Sequence, residues 1–229
     1  MSTFVLLPGA GGAGWYWSRV VPLLEAAGHR AVAVDLPAED PKAGLEAYAD
    51  HTVQAIGDRR DVVLVAQSLG GFTAAMAAAR VPLGMLVFLN AMIPAPGETA
   101  GGWGEATGSS AARLEQARQQ GYSPEFEVET YFFHDVPADV RAEADANDHD
   151  EAEISFRDPC RFDRWPDVPI HVIIGRHDRL FPPAFQRRVA LERLKVDERP
   201  PTIDEVDGGH LAALSHPRAV ADRLLSYVR

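Results

Sequence analysis

The chain has little that would tie it to a wall, a membrane or a polyanion. It has a single cysteine in 229 residues, Cys160, so no internal disulfide can form, and a reducing compartment, the cytoplasm, is expected. Cys160 lies in Arg-Asp-Pro-Cys-Arg-Phe without a glycine-rich turn, which favours a packed thiol over a nucleophile. No apolar run is long enough to span a bilayer, and the start, Met-Ser-Thr-Phe-Val-Leu-Leu-Pro, has no basic leader and is expected to be a first strand. Positive charge is short: 22 Lys and Arg stand against 33 Asp and Glu, a net charge of −11. That balance argues against nucleic acid and polyanionic substrates. No internal repeat or low-complexity tract is present. The expected partner is a small-molecule substrate, with no nucleic acid and no membrane; a homodimer stays open.

What is present is a regular alternation of apolar strands and helical stretches, with 46% apolar residues to build a core. Strands are expected at Thr3–Leu7, Arg30–Asp35, Asp61–Ala66, Met85–Asn90, Ile170–Gly175 and Thr202–Val206. Helices are expected at Ser18–Ala27 with Ser18 as N-cap, Leu45–Ile56, Leu69–Arg80, Ala184–Leu194 and His216–Val228. Near-continuous apolar strands between helices predict an α/β fold: about six parallel strands with helices on both faces. The stretch 91–165 breaks the rhythm with prolines, glycines and charged helical segments. It reads as a small helical cap inserted after the fourth strand, with residues 1–90 and 166–229 forming the core. Within it Asp145, Asp148, His149 and Asp150 lack both a calcium-loop glycine and zinc-type spacing, so a solvated face is expected and no metal.

The residues Leu64-Val-Ala-Gln-Ser-Leu-Gly-Gly71 carry the chemistry. An apolar strand runs into Ser68 and straight out into an alanine-rich helix, a nucleophile elbow. So abrupt a reversal strains the serine backbone and needs small neighbours, here Ala66 and Gly70. The serine then sits at a helix N-terminus, where N–H groups favour developing negative charge.

A serine nucleophile needs a base and an orienting acid, and the order serine, acid, histidine is available. The fifth strand runs out into Gly175-Arg-His-Asp178 and the sixth into Asp207-Gly-Gly-His210. Asp178 and His210 are the candidate acid and base. His177 and Asp207 are sequence neighbours of these and are expected to point elsewhere. Backbone N–H groups of Ala10 and Leu69 are the candidate oxyanion hole. Trp15, Trp17, Phe72, Met92, Trp103, Tyr131, Phe132 and Leu211 are candidate substrate-binding residues on hydrophobicity and position. These parts require no cofactor.

A rival pattern overlaps the first loop. Gly9-Ala-Gly-Gly-Ala-Gly14 has the form G-x-G-x-x-G, and Asp35 follows about twenty residues on, as in dinucleotide-binding folds. The aromatic triplet Trp15-Tyr16-Trp17 delays the expected helix beyond the glycines, so its N-terminus would not meet a pyrophosphate at Gly11.

The segments Pro8–Trp17, Val21–His29, Ala66–Gly71, Gly175–Pro182 and Gly208–Leu211 resemble the α/β-hydrolase superfamily, and within it the methylesterase and hydroxynitrile-lyase branch with its bacterial esterase relatives. The resemblance covers about 1–90 and 165–229. It implies hydrolysis of a small, fairly apolar ester or lactone. Two departures matter. Pro8 stands where the family usually has a histidine before the loop, and Leu211 stands where the lyases carry a lysine, which favours an esterase. A lyase or cyclase on the same fold, or a slow-turnover ligand receptor, are the alternatives.

Overall fold

The computed structural model describes residues 1–147, 149–196 and 199–228, so Asp148 of the acidic stretch lies outside the described residues. Six strands form one sheet: β1 (Thr3–Leu7), β2 (Arg30–Ala33), β3 (Val62–Gln67), β4 (Met85–Leu89), β5 (Ile170–Gly175) and β6 (Thr202–Val206). Their order is β2-β1-β3-β4-β5-β6 and each neighbouring pair is parallel. This is the parallel α/β sheet expected of the pattern, in the architecture that the resemblance implies.

Alternation along the strands explains the layering. Val5, Leu7, Leu64, Ala66 and Phe88 point into one apolar cluster with α2 (Leu45–Ile56), α3 (Gly70–Ala78) and α8 (Pro183–Arg193). Phe4, Leu6, Val63, Val65 and Val87 point into the other, with α1 (Val21–Ala26), α9 (Ala212–Ser215) and α10 (Pro217–Ser226). Strands buried on both faces need helices on both, which parallel crossovers supply.

Most boundaries move by a residue or two. The first helix moves further. Ser18 does not cap it: Gly14–Trp17 form a 3-10 turn and α1 begins at Val21. The reason is Pro22. A helix running through Ser18 would need an N–H at residue 22 to bond its carbonyl, and proline has none. Among the described residues, the buried Ser18 hydroxyl has no hydrogen-bond partner. β2 stops at Ala33 because Asp35 turns away to accept the Gly14 N–H at 2.8 Å. α3 ends at Ala78, short of Val81, which Pro82 biases away from helix.

Between β4 and β5 lie α4 (Ala100–Thr107), α5 (Ser109–Gln120), a π-helical turn (Glu129–Phe133), α6 (Ala138–Asp145) and α7 (Glu153–Arg157). The ends of this insertion are rooted in the core: Ala91–Ile93 and Cys160, Phe162 and Trp165 belong to the larger cluster. A half-buried two-point ion pair, Arg193 with Glu98, pins its start to α8, with Arg193 also donating to the Ile93 carbonyl at 2.7 Å. No helix among the described residues is long and apolar enough to cross a membrane.

Candidate active site

The sheet order reverses between β1 and β3, and the crevice outside such a reversal is where open α/β sheets bind ligands. Ser68 stands there, directly after β3, with φ at +49°. The strain is held by close packing. A Cβ on Gly70 would lie 2.4 Å from the Pro8 carbonyl oxygen, and one on Gly71 would lie 1.9 Å from that of Met92. Larger residues at either place would push the elbow off the first loop.

Three sheet-edge loops bring their side chains together. Ser68 Oγ lies 3.0 Å from His210 Nε2, and His210 Nδ1 lies 2.9 Å from Asp178 Oδ2. The aspartate and histidine side chains are 0% exposed. A carboxylate only accepts, so it holds the proton on Nδ1 and leaves Nε2 free to accept from the serine hydroxyl. The buried charge of Asp178 is compensated. Its Oδ1 accepts the N–H groups of Leu180 and Phe181, both at 2.9 Å, and its Oδ2 accepts Gln186 Nε2 at 3.1 Å.

A second layer of buried amides fixes the loops themselves. Asn90, in a left-handed backbone conformation after β4, accepts the Gly175 N–H at 2.7 Å and donates to the carbonyls of Gly209 (2.9 Å) and His210 (3.2 Å). Gln67 donates to the His210 carbonyl at 3.3 Å, and Gln186 to that of Phe181 at 2.7 Å. Sequence reasoning missed these three. Their signal was visible in Gln67 and Asn90, each a polar amide closing an apolar strand. Phe132 and Phe181 meet the His210 ring edge-on, each with centroids 5.1 Å away, and so shield it from water.

The serine opens into a cavity of about 610 Å³. Of the expected lining residues, Trp15, Met92, Trp103, Phe132 and Leu211 border it, as do Ala10 and Leu69. Among the described residues, the N–H groups of Ala10 and Leu69 have no intramolecular acceptor, which leaves them available to an oxyanion. Trp17, Phe72 and Tyr131 are corrections: none borders the cavity. Trp17 is fully buried against the far face of the sheet, because the 3-10 turn rotates it away from the loop mouth. Phe72 faces the large core from α3. Tyr131 is buried one layer back, stacked on Phe126, with its hydroxyl donating to the Ser123 carbonyl at 2.7 Å. The lining that sequence reasoning did not name includes Phe126, Val128, Leu180 and Phe181. Arg141 gives the wall a charged corner, held by Glu129 and Asp145 with its guanidinium over the Phe133 ring.

Other candidate groups are occupied elsewhere. Asp207 pairs with Arg176 at the surface (2.7 Å), and His177 is exposed to solvent. In the glycine-rich loop Asp35 holds the Gly14 N–H, while Glu151 accepts that of Gly11 at 2.7 Å, so two of the loop's glycine donors are engaged by carboxylates. Burial, with Glu98 adding, pushes the Cys160 thiol up to about 12, which makes it a poor nucleophile. Among the described residues, no group of three His, Cys, Asp or Glu side chains could hold a metal.

The chain and its fold have counterparts among known proteins. A rice protein from Oryza sativa subsp. indica, described as a probable esterase, is 40% identical over 112 residues, 43% of this chain and 42% of its own length. An Arabidopsis thaliana alpha-hydroxynitrile lyase is 38% identical over 103 residues, 40% of each chain. The chain thus matches about two fifths of the length of these curated relatives. A solved pyrethroid hydrolase from Sphingobium faniae JZ-2 shares the fold, with a TM-score of 0.77 at 21% identity over 99% of this chain and 96% of the other. The alpha/beta hydrolase family model matches residues 4–223, nearly the whole sequence, and the chain belongs to the alpha/beta hydrolase family.

Proposed function

We propose that the protein is a serine hydrolase of carboxylesterase type, cleaving a small, fairly apolar ester or lactone. One observation carries this reading: an unbroken hydrogen-bonded series, Ser68 to His210 to Asp178, lies at the floor of an apolar-walled cavity. Ser68 Oγ attacks the ester carbonyl carbon while His210 Nε2 takes its proton. Asp178 holds the tautomer and stabilises the imidazolium. The oxyanion is received by the N–H groups of Ala10 and Leu69, each such donor lowering the barrier by about 3 kcal/mol. Collapse expels the alcohol oxygen, which takes the proton from His210, and leaves an acyl-serine. Water then attacks the acyl carbon, giving its proton to His210 and so back to Ser68 as the acid leaves. Residues 91–165 act as the cap, and the single buried thiol suits a cytoplasmic setting. Leu211 borders the cavity beside His210 and brings no cation to hold a departing cyanide, which supports ester over cyanohydrin cleavage.

The test is a panel of p-nitrophenyl esters of rising chain length, with mandelonitrile in parallel. Hydrolysis of short to medium esters is expected, abolished in Ser68→Ala with melting temperature nearly unchanged, and a fluorophosphonate should label Ser68 alone. Full activity in Ser68→Ala, label at Ser109 or Ser110, or cyanide release outpacing every ester would overturn the reading.

A further inference from the structure

One dipeptide of the insertion reaches both loops that carry the acid and the base. His134 and Asp135 follow the π-helical turn directly. His134 Nε2 lies 2.9 Å from the carbonyl oxygen of His177, the residue before Asp178. A carbonyl only accepts, so this nitrogen carries the proton and donates. Asp135 Oδ2 accepts the N–H of Gly209, the residue before His210, at 2.6 Å. Such a short contact from an amide to a carboxylate is a charge-assisted hydrogen bond. Between the two, His134 Nδ1 and Asp135 Oδ1 face each other at 3.3 Å, both buried and with no hydrogen-bond partner among the described residues. His216 Nδ1 approaches the same carboxylate from the other side, 3.6 Å from Oδ2.

The contact is built tightly. A Cβ on Gly209 would lie 2.5 Å from His134 Cε1 and 2.8 Å from Asp135 Oδ1, so only glycine lets the base loop come this close. The loop needs holding, because Gly208 and Gly209 give its backbone more freedom than any other pair would. Its carbonyl side is tied to the core by Asn90 and Gln67. Among the described residues, its Gly209 N–H is tied only from the insertion.

We propose that His134 and Asp135 are positioning residues, a clamp that fixes the loop before Asp178 and the loop before His210 relative to each other. The proposal rests on the serine hydrolase reading. Neither residue touches substrate in this account; each acts through the backbone beside the acid or the base. A displacement of about 1 Å in such an alignment costs on the order of 100-fold in rate.

The experiment compares wild type with Asp135→Ala and Asp135→Asn as full chains. Active sites are counted with a fluorophosphonate, kcat and KM are measured on a p-nitrophenyl ester, and backbone hydrogen exchange is followed in residues 207–211. Asp135→Ala is expected to lose about 10- to 100-fold in kcat per labelled site. KM should stay within about twofold, with faster exchange in that loop. Asp135→Asn keeps an accepting oxygen for Gly209 and is expected to recover most of kcat and of the exchange protection. Should Asp135→Ala not fold, Asp135→Ser, too short to reach Gly209, carries the same expectation. Unchanged exchange, kcat per site within twofold of wild type, or an Asn variant as damaged as Ala overturns the clamp. Failure of the phosphonate to label Ser68 in wild type overturns the hydrolase reading instead, while loop exchange still decides the clamp.

Discussion

The two sides of the cavity are held by different forces. On the core side Ser68, Asp178 and His210 sit at the ends of parallel strands, with Asp178 and His210 fully buried and tied by main-chain and amide hydrogen bonds. On the insertion side the wall is mostly ring surface. Phe126 is 57% exposed, lies on Tyr131 and meets the Arg113 guanidinium. Arg141 is held by carboxylates that are themselves in solvent. Proton transfer needs alignment to a fraction of an ångström, which a sheet edge provides. Selecting an apolar substrate needs only shape and dryness, which rearranging side chains can supply. The His134–Asp135 contact is where the second kind of wall reaches into the first.

The sharpest way to separate the two walls is to damage the core side without changing its shape. Asp178→Asn is expected to lower kcat by on the order of 10³- to 10⁴-fold, because the amide no longer enforces the Nδ1–H tautomer. KM and folding should change little. Steady-state kinetics decide it, and a larger loss in Asp207→Asn would mean that the surface acid is the functional one.

Next comes the amide bracket. Asn90→Ala strands the Gly175 N–H and removes the donor to two loop carbonyls. Urea unfolding should show a loss of roughly 2–4 kcal/mol, the cost of several buried groups left unpaired. A loss below about 0.5 kcal/mol would show that the bracket adds nothing to stability and that the core wall is rigid for other reasons.

The insertion wall should answer differently. Phe126→Ala removes exposed ring surface from the cavity wall. Its expected effect is a rise in KM of about 3- to 10-fold for the longer esters, equal to roughly 1 kcal/mol of lost apolar burial, with kcat within twofold. A kcat collapse with KM unchanged would erase the contrast between the walls.

The smallest effect concerns pH and stability. Burial holds the imidazoles of His171, stacked on Tyr227, and His134 below the usual histidine value. Their unfolded forms therefore take protons first as pH falls. Stability contributed by the neutral rings is complete above about 6.5 and declines as pH drops from there toward the lowered folded values. Melting temperature should fall across that window, and His171→Gln should flatten the slope. A slope unchanged in that variant would remove His171 from the account.

Much of this molecule was legible before any coordinates. Strand periodicity is local, and apolar runs such as Val62–Gln67 can be satisfied only between two helical layers. The succession of strands and helices along the chain and the small residues around Ser68 likewise follow from chain chemistry alone. Tertiary structure decided the rest. Proline at residue 22 acted four residues upstream to shift α1, and the 3-10 turn ahead of it sets Trp17 against the far face of the sheet instead of the cavity it had been expected to line. Phe72 and Tyr131 turned into packed layers, since an aromatic residue looks the same in sequence whether it faces a core or a cavity. Asn90, Gln186 and Asp135 acquire their partners across 119, 96 and 74 residues of chain. Local pattern determines which face of an element is apolar, but which loops meet over that face is set only when the sheet closes and distant strand ends become neighbours.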